Sequence, residues 1–249
     1  MRLLIIRHGD PDYSIDNLTE KGKREAELLS EKLLHENITK IYSSPLGRAQ
    51  ATAAPTALKL GMDVEILDWL REYPAGIELE QAYIDTGIDP KHKTGCPWNT
   101  LPQYWTLQDE YYDRHKWQSH PVMANSKIPE VYERIGVGFN DLMERHGYKR
   151  QIGGQLYEIS DDTDEKQTVA LFCHLGLGLA LVSHITTAAL PFMWESFFLP
   201  TTSVTTVLTE KHSPYPKQAI LRIIGLGDTG HLIAGNEPIS SSGLHSQII

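Results

Sequence analysis

The chain has 249 residues, enough to bury a large core, and 41% of them are hydrophobic, as in an ordinary globular protein. Its formal net charge of −9 disfavours nucleic acid or an anionic membrane as the main partner, because both bind through a basic surface. Two cysteines supply neither a disulfide framework nor a four-cysteine zinc site. The first apolar run is too short for a signal peptide and none is long enough to span a membrane, so we expect a cytoplasmic protein.

The N-terminal part of the chain alternates between strands and helices. Three apolar stretches predict buried strands: RLLIIR, KIYSS and DVEIL. The two segments between them predict helices, the first beginning after a potential N-cap at Thr19 and the second ending at Gly61. This order predicts an α/β sheet in which neighbouring strands are parallel.

The pattern changes after Gly76. Prolines, scattered charges and three of the five tryptophans lie between about residues 76 and 127, which predicts a partly helical cap within a single domain spanning 1–249. A helix follows, then a fourth strand, TVALFCH, and a helix rich in small residues. Two late β-rich segments complete the sheet, and we expect the serine-rich tail from Ser240 to be loosely ordered.

Side chains that can carry chemistry follow the predicted strands. In chain order they are Arg7 and His8 with Gly9 after the first strand, Arg48 one turn into the second helix, Glu72 after the third strand, and His174 after the fourth. Ligands of open α/β sheets bind outside the carboxyl ends of the strands. We therefore expect these groups to meet at one edge of the sheet.

These residue types suit phosphoryl transfer. Two arginines can hold a phosphoryl group through bidentate hydrogen bonds. A neutral histidine can attack phosphorus, and a protonated carboxyl group can supply the proton that the leaving alkoxide needs. The first backbone amides of the helix after His174 are expected to add donors for the anion. Because the arginines and His174 neutralise the charge, we expect no metal and no other cofactor.

Four sequence blocks resemble the histidine phosphatase superfamily, also called phosphoglycerate mutase-like proteins. They are RHG, SSPLGRAQATA, LREYPAG and CHLGLG, and the resemblance spans residues 2–76 and about 168–182. It implies a three-layer α/β/α sandwich with a mostly parallel sheet and a helical cap inserted after the third strand. It also implies that His8 is the phosphorylated nucleophile, that Glu72 is the proton donor, and that the phosphate pocket is formed by Arg7, Arg48 and His174.

The loop after RHG departs from the family pattern. Pro11 and Ser14 stand where many members have Thr or Ser and then Asn. We include Gly9 and Ser14 among the candidate phosphate-binding residues. The Asn that would make substrate contacts is absent. The loop is also shorter than in the mutase branch, which argues against a glycolytic mutase.

Several alternatives stay open around this cluster. Glu78 or Glu80 can replace Glu72 as the acid, and His231 lies near the site only by family analogy. Adjacent residues on a strand point to opposite faces, so the thiol of Cys173 should face the core. The cap aromatics either line a pocket for an apolar leaving group or give the insertion its own core: Tyr104, Trp105, Tyr111, Tyr112 and Trp117.

The remaining motifs do not indicate a further binding site. GLGDTG matches a dinucleotide-binding pattern, but the required helix and further strand do not follow, so we reject it. The other histidines, His92 among them, show no metal-ligand spacing.

The sequence favours a phosphatase that acts on a small phosphomonoester through a phosphohistidine. A phosphomutase and a phospholigand-binding module without turnover are the alternatives. The physiological substrate is not readable from the residues, and the late strands leave a homo-oligomer open.

Overall fold

A computed structural model describes residues 1–74, 77–78, 94–95, 98, 102–151, 154–212 and 214–244. Within these residues an eight-stranded sheet forms the centre of the fold. Its strands are β1 (Arg2–Arg7), β2 (Lys40–Ser43), β3 (Val64–Ile66), β4 (Tyr148–Arg150), β5 (Leu156–Ile159), β6 (Thr168–Cys173), β7 (Val204–His212) and β8 (Tyr215–Asp228). Two short pairs join Pro11–Asp12 to Asn17–Leu18 and Ile77–Glu78 to Thr94–Gly95.

The order of the strands in the sheet is β3-β2-β6-β1-β7-β8-β5-β4. Neighbouring strands among β3, β2, β6 and β1 are parallel. The remaining neighbours are antiparallel: β1 with β7, β7 with β8, β8 with β5, and β5 with β4. The parallel half contains four of the six β segments that the sequence predicts, and the two late segments form β7 and β8, so the α/β class is confirmed. The strands β4 and β5 were not predicted, because each has at most four residues and no alternating apolar pattern.

Helices cover the sheet and connect its strands. They are α1 (Glu20–Leu33), α2 (Gly47–Leu60), α3 (Pro102–Trp105), α4 (Pro121–Ala124), α5 (Ile128–Arg145), α6 (Leu175–Thr186), α7 (Leu190–Ser196) and α8 (Gly230–Ala234). Short 3₁₀ turns are formed by Asp68–Leu70, Asp109–Tyr111 and Trp117–Ser119. Every helix among the described residues is too short or too polar to cross a lipid bilayer.

The central strand β1 shows why the fold has three layers. Successive side chains of a strand point to opposite faces, and those from Leu3 to Ile6 are all buried. Leu3 and Ile5 belong to the apolar cluster that includes α5, α6 and α7. Leu4 and Ile6 pack on the other face, in a cluster with α1 and α2. A strand buried on both faces reads as a continuous apolar run, which is the pattern of RLLIIR.

The predicted ends of the first two helices are confirmed. The Thr19 hydroxyl accepts a hydrogen bond from the Gly22 amide at 3.0 Å and caps α1. Gly61 ends α2 with a φ of 62°, in the left-handed region that a residue without Cβ adopts most easily. The first signal fixes where α1 begins after the loop at the carboxyl edge of the sheet, and the second fixes where α2 ends before β3.

The predicted cap is described only in part. Its residues from 102 onward form short helices and turns, and Tyr111 and Trp117 are fully buried within the main apolar cluster. These two rings therefore belong to the core rather than to a leaving-group pocket, while Tyr112 is half exposed. Several residues singled out from the sequence lie outside the described residues: Glu80, His92, Cys96, and the side chains of Glu78 and Tyr104.

The C-terminal tail corrects an expectation. Ser240 is 7% exposed, and the Ser242 carbonyl accepts a hydrogen bond from Arg7 at 2.7 Å. Glu237 forms ion pairs with Lys21 and Arg24 of α1 at 3.0 and 2.9 Å. The described part of the tail, up to residue 244, is therefore packed against the body of the protein through polar contacts, which its serine-rich composition did not reveal.

Candidate active site

The register of two parallel strands places two histidines side by side. In the pairing of β1 with β6, Arg7 is opposite Cys173, so the next residues are His8 and His174. The His8 amide continues the ladder by donating to the Cys173 carbonyl at 2.9 Å. The two imidazole rings have centroids 5.2 Å apart, and both side chains are buried. The predicted meeting of these two residues is confirmed.

The imidazole of His8 has a defined tautomer. Its Nδ1 lies 2.7 Å from the Gly9 carbonyl oxygen, which can only accept, so we assign the proton to Nδ1. Burial, followed by the charge of Arg7, lowers the pKa of His8 well below its ordinary value. The ring is therefore neutral at pH 7 and keeps its lone pair on Nε2, which is the requirement for a nucleophile.

Gly9 is fixed by contacts within the protein. Its amide donates to the Thr52 hydroxyl at 2.9 Å, and Thr52 donates in turn to the Arg48 carbonyl at 2.7 Å. A Cβ at Gly9 would lie 2.8 Å from the Gly22 carbonyl oxygen, so a larger residue does not fit between the loop and α1. The Gly9 amide is thus used to hold the loop, not left free for an anion as we expected.

The guanidinium group of Arg7 is held by backbone carbonyls. Nη1 donates to Leu199 and Nη2 to Ser242, both at 2.7 Å, and the group lies 5.3 Å from the centre of the Phe198 ring. The buried Nε has no hydrogen-bond partner among the described residues. The side chain is 2% exposed, and burial lowers its pKa.

Arg48 is anchored on one side by an aspartate. Nη1 donates to Asp16 Oδ1 at 2.5 Å, while the buried Nε is without a partner in the described part of the chain. The guanidinium carbon also lies 5.4 Å from the centre of the Tyr13 ring. The charge of Arg48 contributes to the low pKa of both His8 and His174, so it lies within electrostatic reach of both rings.

His174 is completely buried at the end of β6. Its Nε2 lies 2.8 Å from the Ser44 hydroxyl, and its Nδ1 has no partner among the residues that the structure describes. Burial, with the nearby charges of His8, Arg48 and Arg7, lowers the pKa of His174 well below its ordinary value. Ser44 follows β2 as His174 follows β6, so its position at a strand end was the signal that could have identified it.

Glu72 binds the start of α6. Its carboxylate accepts hydrogen bonds from the amides of Tyr73 at 3.0 Å, Gly176 at 3.1 Å and Leu177 at 2.9 Å. Burial raises the pKa of Glu72 above its ordinary value, and the three amides limit that rise. The expectation that these helix amides bind the substrate anion is wrong, since two of them are occupied by the carboxylate.

Trp98 is the cap aromatic that lies at this site. A Cβ added to Gly176 would collide with the Trp98 ring and would lie 2.9 Å from Glu72 Oε1. The ring also packs against Trp194, with centroids 5.9 Å apart. The space beside Gly176 in the first turn of α6 is therefore filled by the Trp98 ring and the Glu72 carboxylate.

The structure does not bring Ser14 into the cluster. Ser14 is exposed, and both its amide and its hydroxyl donate to Asp12, at 3.0 and 2.5 Å. His231 is linked to the site only indirectly. Its Nε2 lies 3.0 Å from the Thr202 hydroxyl, and the Thr202 amide donates to the His8 carbonyl at 3.2 Å.

Two further expectations concern cysteine and metal. Cys173 is completely buried in the main apolar cluster and burial raises its pKa, so the prediction that its thiol faces the core is confirmed. No group of three or more His, Cys, Asp or Glu side chains in the described part of the chain is arranged to hold a metal ion.

Comparison with known proteins identifies the same superfamily that the four sequence blocks resemble. A family model described as histidine phosphatase superfamily (branch 1) matches residues 3–219, and the chain belongs to this superfamily. The predicted resemblance is therefore confirmed over nearly the whole chain.

Curated relatives match parts of the chain. A probable phosphoglycerate mutase GpmB from Cronobacter sakazakii is 32% identical over 124 residues, which are 44% of this chain and 57% of the relative. Phosphoserine phosphatase 1 from Hydrogenobacter thermophilus is 24% identical over 159 residues, 59% of this chain and 66% of the relative. The chain thus spans between about half and two thirds of these relatives.

Solved structures share the fold over most of their length. A phosphoserine phosphatase from Entamoeba histolytica in complex with phosphoserine has a TM-score of 0.59 at 18% identity, covering 93% of this chain and 98% of that one. A mycobacterial glucosyl-3-phosphoglycerate phosphatase with inorganic phosphate has a TM-score of 0.58 at 19% identity, covering 92% and 98%.

Proposed function

We propose that the protein is a metal-independent phosphatase that hydrolyses a small phosphomonoester through a phosphohistidine on His8. One observation carries the proposal: a neutral, buried His8 lies against His174 in a cluster whose buried donors lack partners in the described residues. These donors are Nε of Arg7, Nε of Arg48 and, in the tautomer whose Nε2 accepts from the Ser44 hydroxyl, Nδ1 of His174. Buried polar groups without partners are rare in folded proteins. A dianionic phosphoryl group supplies the acceptors that these nitrogen atoms lack.

The first chemical step transfers the phosphoryl group to the protein. Nε2 of His8 attacks phosphorus, the bond to the ester oxygen breaks, and Glu72 gives its proton to the leaving oxygen. The raised pKa of Glu72 suits this role, because the acid must be protonated when the substrate binds. The fixed charges of Arg7 and Arg48 stabilise the charge on the transferring group.

The second step releases inorganic phosphate. The Glu72 carboxylate removes a proton from water as the water oxygen attacks phosphorus, and the bond to His8 Nε2 breaks. His8 returns to the neutral tautomer that the Gly9 carbonyl stabilises. Each cycle consumes one water and yields one alcohol and one phosphate, so no oxidant, reductant or metal enters the balance.

A small phosphorylated metabolite is the substrate class that we favour. Fold relatives are named for phosphoserine and for glucosyl-3-phosphoglycerate, both of which are small phosphomonoesters. A mutase is the main alternative, since GpmB relatives carry that name. A binding module without turnover is disfavoured, because the chain keeps both His8, packed against His174, and Glu72, bound to the first turn of the helix after His174.

The deciding experiment follows both products at once. The protein is incubated with phosphoserine, with 3-phosphoglycerate and with p-nitrophenyl phosphate, in buffer with and without EDTA, and phosphorus NMR records inorganic phosphate and any new phosphomonoester. We expect release of phosphate that EDTA does not slow. Interconversion of phosphoglycerate isomers without release identifies a mutase, and no reaction with any substrate contradicts both enzymes.

A further inference from the structure

We propose that Asp16 is a positioning residue for phosphoryl recognition, which fixes the Arg48 side chain and the first turn of α2 with one carboxylate. The inference rests on the proposed function, because it assigns a role to the anion site of that reaction. Asp16 lies in the loop after His8 and matches none of the motif positions.

One carboxylate oxygen replaces the missing cap of α2. The N-cap position is Leu46, whose side chain cannot accept a hydrogen bond. The Gly47 amide instead donates to Asp16 Oδ2 at 2.7 Å. A carboxylate at this place satisfies one free helix amide and interacts favourably with the positive end of the helix dipole.

The other oxygen holds the arginine. Asp16 Oδ1 accepts from Arg48 Nη1 at 2.5 Å, so consecutive residues of α2 are bound by the two oxygens of one group. A guanidinium group has five N–H donors, and this contact uses one nitrogen at its far end. The partnerless Nε of Arg48 stays available to a phosphoryl oxygen.

The loop adopts an unusual backbone conformation to make these contacts. Asp16 has a φ of 47°, in the left-handed region that residues other than glycine rarely enter. A Cβ at Gly47 would collide with the Asp16 carbonyl oxygen, so the helix can begin this close to the loop only with glycine there. A strained residue of this kind persists where surrounding contacts determine its conformation, and here these contacts are to Arg48 and Gly47.

Two opposite consequences of the ion pair have to be weighed. The carboxylate neutralises part of the Arg48 charge, which would weaken the binding of an anion. It also orders a long side chain before the substrate arrives, which lowers the entropy that binding must remove. One guanidinium can bridge two anions, and the hydrogen bond of this group to the described residues involves Nη1. We therefore infer that ordering outweighs neutralisation.

The test separates the two oxygen contacts. Asp16→Asn keeps an oxygen for the Gly47 amide but removes the charge that holds Arg48, and Asp16→Ala removes both. The matched control is Asp12→Asn in the same loop, whose carboxylate binds only Ser14 among the described residues. The readouts are kcat and KM for p-nitrophenyl phosphate, direct binding of inorganic phosphate, and Tm.

We expect Asp16→Asn to weaken phosphate binding and to lower kcat/KM about tenfold with little change in Tm. Asp16→Ala should lose the same activity and also stability, while Asp12→Asn behaves as the wild type. In an Arg48→Ala background, Asp16→Asn should add no further loss, because its effect passes through that arginine. A full additional loss in that background overturns the inference.

Other outcomes separate the inference from the proposed function. Tighter phosphate binding by Asp16→Asn makes Asp16 a competing anion and overturns the positioning role. A wild type that binds phosphate without turning over any ester contradicts the phosphatase but leaves the binding test of Asp16 intact. A wild type that turns over esters, with an unchanged Asp16→Asn, overturns the Asp16 inference alone. A wild type that does not bind phosphate overturns both.

Discussion

At the scale of single residues, the proposed acid, Glu72, and the proposed nucleophile, His8, obtain their protonation states from burial. Glu72 accepts three amide hydrogen bonds, which favour the charged carboxylate, yet burial dominates and raises its pKa. The same burial lowers the pKa of His8. One group is thereby shifted towards its protonated form and the other towards its neutral form, which is the pair of states that the first chemical step requires.

Glu72→Gln tests this division of roles. Glutamine keeps the size and one oxygen for the Tyr73 and Leu177 amides, but its NH2 group cannot accept from the Gly176 amide and cannot donate a proton as an acid. With p-nitrophenyl phosphate, whose leaving group needs little protonation, we expect a burst of about one equivalent of nitrophenolate followed by slow turnover. With phosphoserine, the first step itself should slow by about 100-fold or more. Stopped-flow absorbance follows the reaction of p-nitrophenyl phosphate, and phosphate release follows that of phosphoserine. If the variant slowed the first step equally for the two substrates, Glu72 would not be the acid.

At the scale of elements, the C-terminal segment, residues 237–244, helps to hold the side chain of Arg7. It supplies the Ser242 carbonyl that binds Arg7 Nη2, and it is tied to α1 through the ion pairs of Glu237. Ser240 adds a hydrogen bond to Asp10 in the loop after His8. The segment thus connects α1, the loop after His8 and the buried guanidinium group of Arg7.

A truncation that ends the chain at Ile239 should therefore damage the site from a distance. Arg7 would lose a charged hydrogen bond, which contributes about 1.5–3 kcal/mol. We expect a lower Tm and phosphate binding weakened about tenfold. A chain that ends at Leu244 keeps every described contact and serves as the control. If both truncations bind phosphate like the wild type, the segment has no part in holding Arg7.

Sequence reasoning was accurate where chemistry follows a strand directly. Arg7, His8 and His174 were predicted because parallel strands end at one edge of the sheet, and their register does bring the rings together. Asp16 and Thr52 were missed, because their contacts depend on a left-handed residue and on a close approach at Gly9, neither of which follows from composition. The tail was misjudged for the same reason, since its anchors are polar atoms and a backbone carbonyl.

At the scale of the whole molecule, buried histidines tie stability to pH. Burial lowers the pKa of six of the described histidines, reaching about 4 for His231 and about 3 for His184: His8, His120, His146, His174, His184 and His231. The unfolded chain takes up protons below about pH 6.5, and the folded chain does not. These histidines therefore favour the folded state at neutral pH and lose that effect as the pH falls.

Unfolding free energy should consequently decrease from pH 7 to pH 5. A histidine that stays neutral over this range contributes about 2 kcal/mol to the decrease. Glu25 and Glu72 act in the opposite direction, because burial raises their pKa values and the folded state binds their protons more tightly. With more histidines than glutamates, we expect a net loss of about 3 kcal/mol or more in urea unfolding.

A histidine variant tests whether the buried imidazoles cause this decrease in unfolding free energy. His231→Asn can keep a hydrogen bond to Thr202 but has no titrating ring, so its stability should depend less steeply on pH than that of the wild type. Stability that is constant or rises between pH 7 and pH 5 would show that the buried imidazoles are not the dominant titrating groups.

The central claim is that His8 carries the phosphoryl group between the two chemical steps. The most direct measurement mixes the protein with p-nitrophenyl phosphate, denatures it within milliseconds in alkali, where phosphohistidine persists, and locates the phosphoryl group by peptide mass spectrometry. We predict a phosphorylated His8 that accumulates further in Glu72→Gln, and neither label nor turnover in His8→Ala. A label on another residue, or turnover by a folded His8→Ala protein, would contradict the account.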